Sequence, residues 1–301
     1  MSGAAGNDWL PWGKGVRLLG SHPCGLLAVE KAVGVLSHPN EEKPEEDRSR
    51  SLFKADYDHE RECYHGFGNE GSPDAVYLLH RLDSATSGVL LLAINEEVAE
   101  AIKLRFQSHD VEKTYYALVK GNGRPGMHGH WSDLLEKGRR SHHGPVFASA
   151  GGATQARTNY KWERGDNYRF GLSLMQLLPV TGRTHQLRFQ CAKHGFPIVG
   201  DRGYGDFRFN RKIKSATHQR RLFLHASKVE VRFTLRGDII KFTAESPLPP
   251  EFDGLLGANH DWVKELTRKP TPGELAERQR ARIRDSLRGP TARKHGRRHH
   301  H

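Results

Sequence analysis

The stretch HRLDSATSG at residues 80–88 contains an acidic side chain in a setting where it could do chemistry. If residues 76–83 are extended, Arg81 and Asp83 project from one face of the strand and Leu82 from the other. Asp83 then stands at a strand end, followed by small residues typical of a turn. A carboxylate in that position can simply bond to its own backbone, so this stretch alone favours a turn-capping role.

Two further stretches contain groups that could act together with such a carboxylate. In VTGRTHQLRFQCAKHGFPIVGDRGYGD, residues 180–206, Arg183 lies in a glycine-initiated turn before a predicted helix. A guanidinium fixed there could keep a carboxylate ionised away from water, which is the state that a nucleophile requires. In KTYYALVKG, residues 113–121, the phenol of Tyr115 could stack on a base and assist proton transfer. By spacing alone, however, a strand tyrosine is a core residue.

The elements that must position these groups are strands and helices in irregular alternation. Strands are predicted within 25–39, 75–94, 113–121, 154–182 and 228–249, and helices within 95–111 and 183–195. There is no regular βαβ series and no glycine-rich nucleotide loop. The pattern therefore predicts an α+β fold with a mixed, largely antiparallel central sheet and a few flanking helices.

The chain divides by composition into three parts. Residues 1–24 are predicted to be an N-terminal extension and 25–256 a catalytic domain. Within that domain, residues 40–75 are rich in charge, Gly and Pro, and are predicted to be a surface insertion with one short helix near 52–64. Residues 257–301 are predicted to be a basic tail, partly helical or disordered.

Positive charge suggests a polyanionic partner, and much of it lies in the tail. The whole chain has a formal net charge of +12. Residues 268–301 contain eleven Lys or Arg and three acidic residues, a balance of +8, so the preceding 267 residues have only +4. A specific site for such a partner in the body must then be a local patch, while the tail is either a source of salt-sensitive attraction to phosphates or a solvated solubilising segment.

Several function classes are disfavoured by the same composition. Three cysteines without a CxxC pair indicate neither a disulfide framework nor a zinc ribbon. No apolar run approaches the roughly 18 residues of a membrane helix, and the first residues lack signal-peptide features, so a soluble, cytoplasmic protein is expected. A histidine cluster lies among Gly, Arg and Ser in a predicted loop, so no metal site is expected. Its members are His128, His130, His142 and His143.

Taken together, the three stretches resemble the RluA family of pseudouridine synthases. The chain contains HRLD followed by a TSG turn, then a KxY strand, and then GRTHQLR leading to PIVGD. This set of motifs, in this order, is similar to the family pattern. The resemblance runs from about residue 25 to residue 250 and includes the LHA segment at 224–226. It departs at Ala32, where the family commonly has Pro, and in the length of residues 40–75.

The resemblance implies a catalytic role for Asp83, an active-site role for Tyr115, and an ion pair between Arg183 and Asp83. Arg81 is similar to the HRLD arginine near the RNA. Further candidates for contacts with RNA are Lys113, His185 and Arg188. Whether the carboxylate attacks the sugar, adds to the base or acts as a base at the ribose stays open.

The implied activity is the isomerisation of specific uridines in structured RNA, either rRNA or tRNA, to pseudouridine. The implied fold is the pseudouridine synthase fold, with the active-site cleft across the sheet. No cofactor and no metal is expected, since the reaction transfers no electrons, and a monomer is expected. The alternatives are a catalytically silent RNA-binding protein of the same fold and, more remotely, a metal-dependent hydrolase that uses the histidines.

Overall fold

The computed structural model describes residues 10–42, 44–68, 71–135, 154–165 and 171–257. Its strands are β1 Val16–His22, β2 Leu26–Lys31, β3 Asp56–Asp58, β4 Cys63–His65, β5 Ala75–Leu78, β6 Ser87–Ala93, β7 Val111–Lys120, β8 His128–Leu135, β9 Thr154–Gly165, β10 Leu172–Pro179, β11 Leu224–Leu235 and β12 Asp238–Glu245. Its helices are α1 Pro44–Arg48, α2 Glu96–Gln107, α3 Gln186–Lys193, α4 Phe207–Thr217 and α5 Pro250–Leu256.

The described strands form one curled sheet with the order β3-β4-β5-β6-β11-β7-β10-β9-β8. Strand β2 joins β1 to β6, and β12 pairs with the outer part of β11. Every strand pairing is antiparallel except that between β6 and β11. The prediction of a mixed, largely antiparallel sheet is therefore confirmed.

Both faces of the sheet are covered at β2 and β6, which explains the continuous apolar runs at 26–29 and 89–93. Along β6, Val89 and Leu91 pack in the same cluster as α2, whereas Leu90 and Leu92 pack on the opposite face. Helix α2 begins, as predicted, at the cap Asn95, whose side chain accepts a hydrogen bond from the third residue of the helix.

The parallel contact between β6 and β11 depends on a glycine in the TSG turn. Gly88 has a φ of +120°, and a Cβ added there would lie 2.1 Å from the carbonyl oxygen of Ala226. Only a residue without a side chain allows the two backbones to approach so closely. The small residues after Asp83 thus have a packing reason beyond forming a turn.

Two predicted domain boundaries are wrong. Residues 10–24 are not an extension, because β1 pairs along its length with β2 and Leu10 is buried in the core. Residues 40–75 are not a surface insertion, because Phe53, Tyr64 and Phe67 cover one face of the sheet. The predicted helix near 52–64 is replaced by β3 and β4. The apolar residues of this segment are outnumbered by charged ones, so their burial was not visible in the composition.

Other local predictions also need correction. His128 and His130 lie in strand β8 rather than in a loop, and helices α4 and α5 were not predicted. His142, His143 and the tail 257–301, apart from residue 257, lie outside the described residues. Within the described part of the chain, no helix has the length and apolar character needed to cross a membrane.

Candidate active site

Asp83 lies in the loop that joins β5 to β6, and the backbone around it is held on both sides. The Ser37 hydroxyl donates to the carbonyl of Leu82 at 2.9 Å and accepts from its N–H at 3.1 Å. After Asp83, the N–H of Thr86 donates to the Asp83 carbonyl at 2.9 Å. The carboxylate is 26% exposed and borders a cavity of about 870 Å³. That volume lies within the range of about 300–1,000 Å³ that is usual for ligand pockets.

The arginine that contacts Asp83 is Arg188, in the first turn of α3. Its Nη1 donates to Asp83 Oδ2 at 2.9 Å, while Nε and Nη2 donate to the two carboxylate oxygens of Asp201 at 2.8 and 2.9 Å. The Asp201 side chain is fully buried and also accepts from the backbone N–H groups of Gly203 and Tyr204. A guanidinium held by such a bidentate pair has a fixed direction, so the position of Asp83 is fixed as well.

The charges of Arg188 and Asp201 stabilise each other. Burial lowers the pKa of Arg188, but its hydrogen bonds with Asp201 and Asp83 outweigh that effect, and the pKa is raised above its ordinary value. Burial likewise raises the pKa of Asp201, but the hydrogen bonds from Arg188 and from the backbone outweigh it, and the pKa is lowered. Both groups are therefore charged at neutral pH.

The predicted ion pair between Arg183 and Asp83 is wrong. Arg183 lies in the exposed turn before α3 and borders the cavity, and its backbone N–H donates to the Gln186 side chain at 3.1 Å. Arg188, which was a candidate for contacts with RNA, has its guanidinium on two carboxylates instead. Helix α3 begins at Gln186, so residue 188 lies in its first turn, where its guanidinium reaches Asp83, while residue 183 precedes the helix.

His185 comes close to the carboxylate from the turn that precedes α3. It has a left-handed φ of +56°, an unusual conformation for a residue with a side chain. Its Nε2 lies 3.7 Å from Asp83 Oδ2, and its Nδ1 lies 3.2 Å from the hydroxyl of Tyr204. The Tyr204 ring also lies 5.2 Å from the Arg188 guanidinium carbon. These contacts join the 201–206 loop to the candidate site.

Strand β7 supplies Tyr115 and Lys113, which lie two residues apart and both line the cavity. Burial and the negative charge of Asp83 raise the pKa of Tyr115, so its phenol is neutral at physiological pH. Burial lowers the pKa of Lys113 to about 8. The structure therefore brings together Asp83, Tyr115, Lys113, His185 and Arg188 at one cavity.

Arg81 lies at the rim of the cavity. Its side chain is exposed, and Nη1 is 3.4 Å from Nε2 of His38. Arg81 and Arg183 thus border the cavity from two different loops. The predicted RNA contacts of Arg81, Lys113 and His185 remain predictions.

Sequence reasoning did not assign roles to two residues that shape this site. The Nε2 of His80, the first residue of HRLD, accepts a hydrogen bond from the N–H of Leu91 at 3.0 Å, and burial lowers its pKa to about 3. Lys31 is fully buried and donates to the carbonyls of Val35 at 2.8 Å and Ser84 at 3.4 Å. Burial lowers the pKa of Lys31 to about 7, although the charge of Asp83 acts to raise it. The position of Lys31 at the end of an apolar strand was a sequence signal that this lysine is buried.

Comparisons with known proteins agree on one family. A family model described as RNA pseudouridylate synthase matches residues 25–193. The tRNA pseudouridine synthase C of Pectobacterium carotovorum subsp. carotovorum is 36% identical over 202 residues, which cover 60% of this chain and 53% of that protein. The protein of the same name from Haemophilus ducreyi is 34% identical over 248 residues, covering 77% and 90%.

A third relative has a different named substrate. The ribosomal large subunit pseudouridine synthase C of Escherichia coli O157:H7 is 34% identical over 186 residues, which cover 61% of this chain and 56% of that protein. The chain thus spans about half the length of two of these three relatives. Among solved structures, human RNA Pseudouridylate Synthase Domain Containing 1 matches with a TM-score of 0.55 and 23% identity, covering 88% of this chain and 95% of that one. This structural match confirms the predicted fold.

Proposed function

The chain belongs to the RNA pseudouridylate synthase family, and from that premise we propose that it isomerises specific uridines in structured RNA to pseudouridine, with Asp83 as the catalytic carboxylate. One observation carries the assignment of the residue. Asp83 borders a nucleotide-sized cavity, and its carboxylate lies 2.9 Å from a guanidinium that a second, buried carboxylate orients. Such a group is held in place before the substrate arrives, which is what an orientation-dependent reaction needs.

The reaction exchanges one bond to the sugar for another. The bond between uracil N1 and the ribose C1′ breaks, the base turns, and a bond forms between C5 and C1′. The hydrogen on C5 leaves as a proton and N1 gains a proton, so atoms and electrons balance. In this scheme Asp83 acts on the sugar or the base of a uridine flipped into the cavity.

The other lining residues have roles suited to their environments. Tyr115 stacks on the flipped base, and its neutral phenol passes on a proton. Arg188 positions Asp83 rather than meeting RNA, because its donors are directed at carboxylates. Arg81 and Arg183, at the exposed rim, contact phosphates of the entering strand.

The substrate is a uridine of rRNA or tRNA. Relatives with names for both substrates match this chain at similar identity, 34% in two cases. The expected oligomeric state is a monomer.

Release of tritium from C5 tests the activity directly. The full chain is incubated with tRNA and large-subunit rRNA transcripts that contain uridine labelled with tritium at C5. We expect release by the wild-type protein and a loss of roughly 10³-fold or more with Asp83→Asn, because the variant lacks the carboxylate. Asp74→Asn, an exposed acid at the other end of β5, is the matched control.

Mapping of pseudouridines in cellular RNA then identifies the target. A uridine that loses its mark when the gene encodes Asp83→Asn is the substrate. If no transcript releases tritium and no cellular uridine changes, the chain is a catalytically silent RNA-binding protein of this fold, and the proposed activity is refuted.

A further inference from the structure

One short segment before the tail has a high local density of positive charge. Residues 202–221, named here the basic segment, contain seven Lys or Arg and one acidic residue, Asp206, a balance of +6. Residues 1–267 as a whole have +4, so the other 247 of these residues have a net charge of −2. The sum over the other residues before the tail is therefore slightly acidic, whereas this segment is strongly basic.

Helix α4, the centre of the basic segment, has an inner face that is anchored to the site. Phe209 and Ile213 pack against the cluster that contains α5. The side chain of Asn210 accepts from the N–H of Gly200 at 2.9 Å and donates to the carbonyl of Asp201 at 2.9 Å. The helix is thus attached to the residue whose carboxylate orients Arg188.

The outer face of the helix is exposed and positively charged. Arg208, Arg211 and Lys212 are spaced i, i+3 and i+4, so they lie on one side of the helix, with Lys214 beside them. Arg202 before the helix and Arg220 after it are also exposed.

These six cations have no carboxylate partners in the described part of the chain. Asp206, the acidic residue of the segment, is already engaged, since it accepts from Lys120 Nζ at 2.6 Å and caps α4 through the N–H of Phe209. A solvated helix face usually carries charges of both signs. A face with cations alone, and without neutralising acids, is complementary to a polyanion.

The basic segment also begins at the candidate site. Arg202 directly follows Asp201, and Tyr204 contacts both His185 and the Arg188 guanidinium. Helix α4 itself extends for about 16 Å. Because Phe209 and Ile213 pack with Leu118, on the sheet face opposite to Ala117 and Leu187, RNA that leaves the cavity reaches α4 by passing the 201–206 loop.

We propose that the outer face of α4, with Arg202 and Arg220, binds the sugar–phosphate backbone of the RNA that adjoins the target uridine. The inference rests on the proposed function, because it takes the cavity as the place of the flipped base. The surface contacts phosphates rather than base edges, since charged side chains on an exposed helix face meet the backbone of A-form RNA, whose deep groove excludes them.

The salt dependence of RNA binding tests this surface. Affinity of the full chain for a dye-labelled, unmodified tRNA transcript is measured between about 50 and 300 mM KCl; phosphate contacts are insensitive to sequence, so this RNA suffices. We expect Arg211→Gln with Lys212→Gln to weaken binding roughly tenfold at low salt and to reduce the slope of log Kd against log salt by about two. The KM for tritium release should rise with it.

Two matched double variants complete the design. Arg232→Gln with Lys241→Gln removes two exposed cations that are cross-strand partners on the β11–β12 hairpin, and should leave the slope unchanged. Arg211→Lys with Lys212→Arg keeps the charge and should keep the slope. A wild-type slope in the α4 neutral variant, or an equal loss in the hairpin variant, overturns the inference.

The outcome is separable from that of the proposed function. If the wild-type protein releases no tritium and the α4 variant still shows a reduced slope of log Kd against log salt, the proposed activity fails and the RNA surface stands. If tritium is released normally and the slope does not change, the surface fails and the activity stands.

Discussion

Replacement of Asp201 by Asn should reduce both stability and turnover, because Asp201 orients the arginine that holds Asp83. The Asp201 side chain is fully buried and accepts two hydrogen bonds from Arg188 and two from the backbone. Asparagine has the same shape, but it lacks the charge and presents an amide NH₂ group where the guanidinium expects an acceptor. In the variant, the Arg188 guanidinium has therefore lost one of its two carboxylate partners and keeps only Asp83.

The expected cost follows from the contacts that remain. Removal of one partner from a buried ion pair costs about 3–5 kcal/mol of unfolding free energy. Arg188 keeps its contact with Asp83 at 2.9 Å, so we expect a value near the lower end, about 3 kcal/mol. Turnover should fall roughly 100-fold, the usual effect of displacing a reacting group by about 1 Å.

The loss of stability should depend on pH in a defined direction. The folded-state pKa of Asp201 is lowered, so its contribution is fully present above the ordinary carboxyl pKa of about 4 and is lost as the pH falls through the folded-state value. The difference between wild type and Asp201→Asn should accordingly be greatest at neutral pH and should shrink in acid. Urea unfolding at several pH values measures it.

Asp206→Asn is the control, since it removes a charge from the same loop. Asp206 pairs with Lys120 at the surface and caps α4, and asparagine caps a helix as well as aspartate does. The cost should stay below about 1 kcal/mol.

A double-mutant cycle with Arg188→Met separates the ion pair from general damage. Arg188→Met leaves Asp201 buried without its cation, whereas the double variant has neither charge. The double variant should therefore be less destabilised than the sum of the two single variants. Additive costs, together with an Asp201→Asn variant that loses under 1 kcal/mol and keeps its turnover, would refute the assignment.

Three other variants test the remaining elements of the site. Tyr115→Phe keeps the ring and loses the phenol, so the rate of tritium release should fall about 10²–10⁴-fold while RNA affinity is retained; an unchanged rate would exclude a role of the hydroxyl in proton transfer. Gly88→Ala should cost about 3 kcal/mol or more in a thermal melt, because its Cβ meets the backbone of Ala226, whereas Gly20→Ala, where nothing lies within 4 Å, should have little effect. His80→Gln should flatten the fall of stability between pH 6.5 and about 3 by up to about 1.4 kcal/mol per pH unit, since the unfolded chain takes up a proton there and His80 in the folded protein does not; an identical slope in urea titrations would contradict the lowered pKa.

Much of the fold was predictable from local patterns. The apolar runs around 26–31 and 87–93, the alternation in 229–235 and the capped helix behind Asn95 all form the predicted elements. Each depends on neighbours in the sequence, so periodicity and capping are sufficient to find it.

The misjudged segments share a physical cause. Phe53 and Tyr64 lie in short apolar pairs within a highly charged segment, and only the sheet face that they cover reveals them as core. The net charge of +4 for residues 1–267 likewise concealed the +6 of residues 202–221, because negative residues elsewhere cancel it in a sum but not in space. The charged face of α4 can be recognised only in the folded structure, where the packing of the inner face shows which side of the helix is exposed.

The sequence by itself determined the family resemblance, the type of sheet and the position of Asp83 in a turn between two strands, since these depend on short motifs. Tertiary structure alone decided which arginine meets that carboxylate. Arg183 and Arg188 are five residues apart, but α3 begins between them, and only the second donates to Asp83. The carboxylate that holds it, Asp201, comes from a loop thirteen residues further along. Such a contact depends on how separate elements pack, which no local pattern of residues specifies.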